Sequence, residues 1–167
     1  MKYERFEDLP VWQSASELAI RVYVLGEKSP LRRHRSLRDQ IERAALSVSN
    51  NIAEGFERGS TNELLAFLYI ARGSSGEVRS MLCVMERMSV FADLKSEISN
   101  LKSMAEGISR QLRGWAQHLQ DSPVRGQRHL TAKTRQMDQA RRDRADFLRE
   151  LDELRKNTQN TRNIQDD

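Results

Sequence analysis

Three histidines, one cysteine and a close run of arginines are the side chains of this sequence best suited to chemistry, and their spacing argues against an enzyme. His34 sits in the run Arg32-Arg33-His34-Arg35, His118 near the end of the last long apolar series, and His129 beyond it. None has a carboxylate placed to share a metal on the same helical face. A di-iron helical bundle needs two Glu-x-x-His pairs projecting inward, and this sequence contains neither. Cys83 is flanked by Leu82, Val84 and Met85 and reads as a buried, inert thiol, because a nucleophilic cysteine needs a partner that lowers its pKa. As the only cysteine it also excludes an intrachain disulfide and a cysteine-based zinc site. Gly73-Ser-Ser-Gly76 lies inside an apolar stripe and follows no strand, so it does not read as a phosphate loop. No catalytic residue, no metal and no cofactor is expected.

The arginines remain. Arg38 with Glu42, and Asp39 with Arg43, stand at i,i+4 and would neutralise one another on a helix. That leaves Arg32, Arg33 and Arg35 as a patch for phosphate contacts, or as a solvated helix entrance. A second set, Arg141, Arg142 and Arg144, lies in the C-terminal tail, with Asp138, Asp143, Asp146 and Glu150 interleaved at helical pairing distances. It reads equally as an RNA-contacting arm or as a self-neutralised charged helix. Phe147 is the tail's one aromatic residue and belongs to an apolar stripe, so stacking-based reading of single-stranded sequence is not expected. The chain carries a net charge of +4, and residues 122–167 hold 11 of the 28 Lys and Arg but 8 of the 24 Asp and Glu. This balance leans toward an acidic partner such as nucleic acid.

Four apolar series would position these groups. The first is Val11, Ala15, Leu18, Val22 and Leu25, with Trp12, Ala19 and Tyr23 widening it. Its steps of four and three are helical, with Asp8 placed to cap the start and Gly26 the end. Pro30 forbids simple continuation, so residues 27–31 read as a loop. The second series runs Leu37, Ile41, Ala44, Ala45, Val48 and Ile52 toward Gly59, whose tolerance of positive φ suits a helix end. Asn50, Asn51 and Glu54 lie on it, with the amides expected to set register between helices rather than to bind a ligand. Ser60 and Glu63 form a capping box that starts a third helix. Its stripe is Leu64, Leu68, Ala71, Ser75, Val78, Leu82 and Met85, and the fourth is Leu94, Ile98, Leu101, Ala105, Ile108, Leu112, Trp115 and Leu119. Because the third stripe keeps phase across residues 73–76, that stretch reads as helix, its small residues admitting a close neighbour; a hinge is the alternative.

The expected fold is therefore all-α: an up-down-up-down four-helix bundle over residues 1–121, followed by a charged tail over 122–167 that is partly helical, about 131–156, or disordered. No apolar run approaches the roughly 20 residues needed to cross a bilayer. The N-terminal residues lack an apolar signal region, so the expected compartment is the cytoplasm.

Several stretches carry a resemblance to a known family. They are Phe6-Glu-Asp-Leu-Pro-Val-Trp12, Gln40-Ile-Glu-Arg-Ala-Ala45, Asn51-Ile-Ala-Glu-Gly55 with Arg58, and Phe67-Leu-Tyr-Ile-Ala-Arg-Gly-Ser74 with Glu77. In these blocks, spread over residues 6–88, the chain resembles the four-helix-bundle proteins associated with intervening sequences in bacterial 23S ribosomal RNA genes. The resemblance implies a ring-like homopentamer. It also implies kinship with the accessory protein of diversity-generating retroelements, which binds a reverse transcriptase and contacts nucleic acid. Apolar residues beyond the needs of one slim bundle, Trp12, Tyr23, Phe67 and Tyr69, agree with self-association. Two functions follow as expectations: a non-enzymatic, oligomeric accessory protein binding the RNA or DNA backbone, or a structural homo-oligomer acting through protein partners without nucleic acid.

Overall fold

A computed structural model of the chain describes residues 3–121, 139–140, 143–149 and 153. The chain divides into two units, Met1–Arg128 and His129–Asp167. In the first, helix α1 (Pro10–Gly26) leads through the short α2 (Ser29–Arg33) to α3 (Arg35–Glu57). Helix α4 (Thr61–Arg87) and a 3-10 segment (Ser89–Leu94) then lead to α5 (Lys95–Asp121). In the second unit, the described residues 139–140, 143–149 and 153 are helical.

The four long helices close a ring of neighbours. α1 packs on α3, α3 on α4, α4 on α5 and α5 back on α1, while α1 and α4 stand on a diagonal. Residue pairings show that the neighbours run antiparallel. Gly26 at the end of α1 abuts Arg38 and Glu42 early in α3, and Gly55 late in α3 abuts Leu64 and Phe67 early in α4. Glu86, late in α4, accepts from Lys102 early in α5 at 2.5 Å, whereas Tyr69 near the start of α4 meets Gln120 near the end of α5 at 3.1 Å. Arg21, late in α1, reaches Met104 in the first half of α5.

The apolar series predicted from spacing supply the core. Val11, Ala15, Leu18, Val22, Ile41, Ala45, Val48, Ile52, Leu64, Leu68, Leu82, Met85, Ile98, Leu101, Ile108 and Leu112 are all buried. At about 1.5–3 kcal/mol for each large apolar side chain removed from water, these faces hold the bundle. Cutting a central one, Leu82→Ala, removes about 2–5 kcal/mol.

The helix ends differ from expectation in three places. Asp8 does not cap α1: it closes a 3-10 turn (Phe6–Asp8), Leu9 precedes the helix in extended backbone, and Pro10 takes the first helical position, where its missing N–H costs nothing. Residues 27–31 are not all loop, because Pro30 likewise sits in the first turn of α2, whose Leu31 is fully buried. Gly59 does not adopt positive φ; α3 ends at Glu57 with Arg58 extended. The capping box forms as predicted, with the Glu63 amide donating to Ser60 Oγ at 3.3 Å and Ser60 Oγ donating to the Glu63 carboxylate at 2.7 Å.

Residues 73–76 continue α4 without a break. The close approach expected there belongs to the serines alone. Ser74 Oγ lies 2.9 Å from Ser47 Oγ on α3, and Ser75 Oγ donates to the Ala105 carbonyl on α5 at 2.7 Å. A Cβ added at Gly73 or Gly76 would meet nothing within 4 Å.

Candidate nucleic-acid interface

Antiparallel packing brings four helix ends to one pole: the end of α1, the start of α3, the end of α4 and the start of α5. Here α2 and the 3-10 segment cross the gaps. Leu31 anchors α2 in the core, which leaves Arg32 and Arg33 in its last turn, both exposed. His34 is the joint between α2 and α3, with φ −100° and ψ 65°. Its ring lies 5.7 Å from that of Phe91 in the 3-10 segment, and Phe91 is fully buried. Arg35 opens α3, also exposed. The three arginines picked out from the sequence are thus held together on a folded cap, not on a free loop.

Of the two neutralising pairs read from spacing, one forms and one does not. Arg38 Nε donates to Glu42 Oε1 at 3.0 Å, with Glu27 a further 3.8 Å contact, as the spacing predicts. Arg43 instead donates to the backbone carbonyl of Asp39 at 3.3 Å and to the side-chain oxygen of Gln40. A carboxamide at i−3 takes the place of the carboxylate at i−4, and Arg43 enters no ion pair among the described residues.

The pole holds cations that the sequence reading missed. Arg87 ends α4 and Lys95 begins α5, both exposed, and Lys28 precedes α2. Among the described residues, none of Arg32, Arg33, Arg35, Arg87, Lys28 or Lys95 takes part in an ion pair. Arg87 and Lys95 lie more than 50 positions from Arg35, and only the antiparallel order of the helices joins them. The opposite pole exposes Glu4, Asp8, Glu54, Glu57, Glu63 and Asp121 with Arg5 and Arg58, while the pole that carries the arginines also exposes Glu27, Asp39 and Asp93.

Of the tail arginines, Arg141 and Arg142 lie outside the described residues. Arg144 is on the helical stretch 143–149 and exposed, near an Arg149–Asp146 ion pair and a 2.9 Å hydrogen bond from Gln139 to Asp143. Of the interleaved acids, Asp146 pairs with an arginine as the spacing predicts and Asp143 takes a neutral partner, while Asp138 and Glu150 lie outside the described residues.

The remaining residues of interest make local contacts. Asn51 Nδ2 donates to the Ser47 carbonyl at 2.7 Å and to Ser47 Oγ at 2.9 Å, which orients the hydroxyl that meets Ser74. Arg58 stacks over Phe67 at 5.1 Å and pairs with Glu54 at 2.5 Å, so this motif braces the turn between α3 and α4. Trp12 packs edge-on against Phe6 at 5.2 Å, whereas Tyr23 and Tyr69 keep 43% and 45% of their surface exposed. Cys83 is half-buried on α4. Among the described residues no three His, Cys, Asp or Glu side chains gather as metal ligands, and no helix is long and apolar enough to cross a membrane.

No curated protein matches this sequence. Residues 7–114, which span all four long helices up to the last turns of α5, match the family described as 23S rRNA-intervening sequence protein. With most of its length covered, the chain belongs to the 23S rRNA-intervening sequence protein family.

Proposed function

We propose that this protein is a non-enzymatic, oligomeric, nucleic-acid-associated accessory protein of the cytoplasm that binds the backbone of RNA or DNA through its basic pole. The observation that carries this reading is the convergence of Arg32, Arg33 and Arg35 with Arg87 and Lys95 at one end of the bundle, exposed and outside ion pairs among the described residues. Guanidinium groups on rigid elements suit phosphate oxygens, and backbone contacts position a nucleic acid without reading its sequence. One copy offers few cations. Repetition of the pole around a homo-oligomer, a pentamer on the family resemblance, multiplies phosphate contacts without new chemistry. Exposed Ile20, Tyr23 and Val24 on α1 and Tyr69 and Ile70 on α4 supply apolar surface for such assembly. Equally, they support the second reading, a structural homo-oligomer acting through protein partners. A reverse transcriptase as partner is supported by the resemblance to the retroelement accessory protein alone.

The test is the salt dependence of binding to a labelled RNA, because each neutralised phosphate contributes about 0.7–0.9 to the fall of log K with log salt. The wild-type slope should be steep and become shallower in the triple variant Arg32→Ala, Arg33→Ala, Arg35→Ala. It should fall again when Arg87 is also replaced. Absence of binding at low salt, with light scattering still reporting an assembly, would leave the structural-oligomer reading.

A further inference from the structure

The seam between α1 and α5 contains a contact that the proposed function does not use. Arg21 Nη1 donates to the thioether sulfur of Met104 at 2.9 Å, joining positions 83 residues apart. A thioether is a weak acceptor. Glu17 stands one turn earlier on the same helix, at i−4, yet no Arg21–Glu17 ion pair forms among the described residues. The half-buried guanidinium is therefore held against a sulfur that accepts poorly.

Met104 also borders open space. Met104 lines an open groove of about 420 Å³ between the two helices, walled by Gln13 and Glu17 on α1 and by Ile108 and Gln111 on α5. Gly107 contributes to the same groove, and a Cβ there would meet nothing within 4 Å, so the groove is open at that position. Met85, by contrast, is fully buried in the core. Met81 and Met88 are half-buried against the core, and no hydrogen bond to either sulfur is present among the described residues.

We propose that Met104 is a reversible oxidation site whose sulfoxide oxygen is captured by Arg21, so that oxidation ties α1 to α5. The reaction is a two-electron transfer of one oxygen atom from a peroxide to the sulfur. The peroxide O–O bond breaks, an S–O bond forms, hydrogen peroxide leaves as water, and methionine becomes the neutral sulfoxide, which methionine sulfoxide reductases reverse. A sulfoxide oxygen carries partial negative charge and accepts strongly, so Arg21 gains a charge-assisted bond in place of a soft one. Methionine oxidation generally loosens a packed protein by placing a polar atom in apolar surroundings. Here a waiting cation and an open groove give the change the opposite sign.

The experiment treats the full chain with dilute hydrogen peroxide, locates oxidised methionines by peptide mass spectrometry, and compares melting temperatures before and after. In the wild type, Met104 should oxidise ahead of Met81, Met85 and Met88 and the melting temperature should hold or rise. In Arg21→Ala the same oxidation should lower it by roughly 3 °C or more, the scale of a modest loss for a chain of this size. A second arm avoids peroxide: Met104→Gln places a neutral oxygen acceptor near the sulfoxide position and should be tolerated beside Arg21 but destabilising in Arg21→Ala. The double-mutant cycle reads the coupling even where single variants are weakened. Preferential oxidation elsewhere, an equal loss of melting temperature with and without Arg21, or zero coupling in the cycle would each overturn the proposal.

Discussion

The imidazole of His34 rests against the ring of Phe91, with planes tilted by 52°. Through this pair the joint between α2 and α3 is fastened to the 3-10 segment between α4 and α5, so both connections at the basic pole share one support. Phe91 is fully buried, and Phe91→Ala should cost about 3–5 kcal/mol. Phe91→Leu should cost less. Denaturant midpoints measure both, and if the pole acts as one body, Phe91→Leu should also weaken RNA binding without removing any charge.

Two glycines should respond to alanine with opposite signs. A Cβ at Gly55 would lie 2.7 Å from Phe67 Cβ and 3.2 Å from a Leu64 methyl, so Gly55→Ala forces α3 and α4 apart and should cost about 1–3 kcal/mol. At Gly73 the same atom meets open space inside a continuous helix, and Gly73→Ala should stabilise by about 0.5–1 kcal/mol in the monomer. Thermal melts of the two variants decide this. A destabilised Gly73→Ala that also loses assembly in light scattering would place a neighbouring copy against that face.

Lys102 predicts a specific alkaline behaviour. Its ammonium donates to Glu86 at 2.5 Å, and that hydrogen bond raises its pKa above the ordinary 10.5. Because the folded value is the higher one, the stabilisation is fully present below the ordinary lysine value and is lost as pH rises through the raised one. Both groups are partly exposed, so the increment is small. Stability profiles of wild type and Glu86→Gln should run parallel near neutrality and converge above pH 10.5.

Residues 1–121 should fold without the rest of the chain, because all four long helices and the buried core lie within them. A chain ending at Asp121 should keep high helicity and a cooperative thermal transition. An insoluble or non-cooperative product would mean that residues beyond 121 complete the core.

The helices were legible in the sequence because each carries several turns of periodic apolar residues, and burial at Leu64, Leu68, Leu82 and Met85 follows that period. Leu31 and Phe91 were not. Each lies in a short connection with no helical repeat to mark it as core, yet both are fully buried and together they shape the pole. Arg32, Arg33 and Arg35 were visible as a local run, while Arg87 and Lys95 are unremarkable in sequence and join the patch only through the turn between α4 and α5. The Asp39–Arg43 pairing failed for a local reason, since spacing shows which partners are within reach and not that Gln40 offers a nearer oxygen.

Three of the four seams join helices that follow one another along the chain, and only the α1–α5 seam closes across it. The contacts are thus mostly short in sequence separation, which favours rapid folding from adjacent hairpins, with the closing seam meeting the largest loop entropy. No helix is intrinsically first in such a ring. A circular permutant that links Asp121 to Leu9 and opens the chain at Gly59 would make the α1–α5 seam local and leave α3 and α4 to find each other last. Such a protein would keep the native core but reverse the order of assembly.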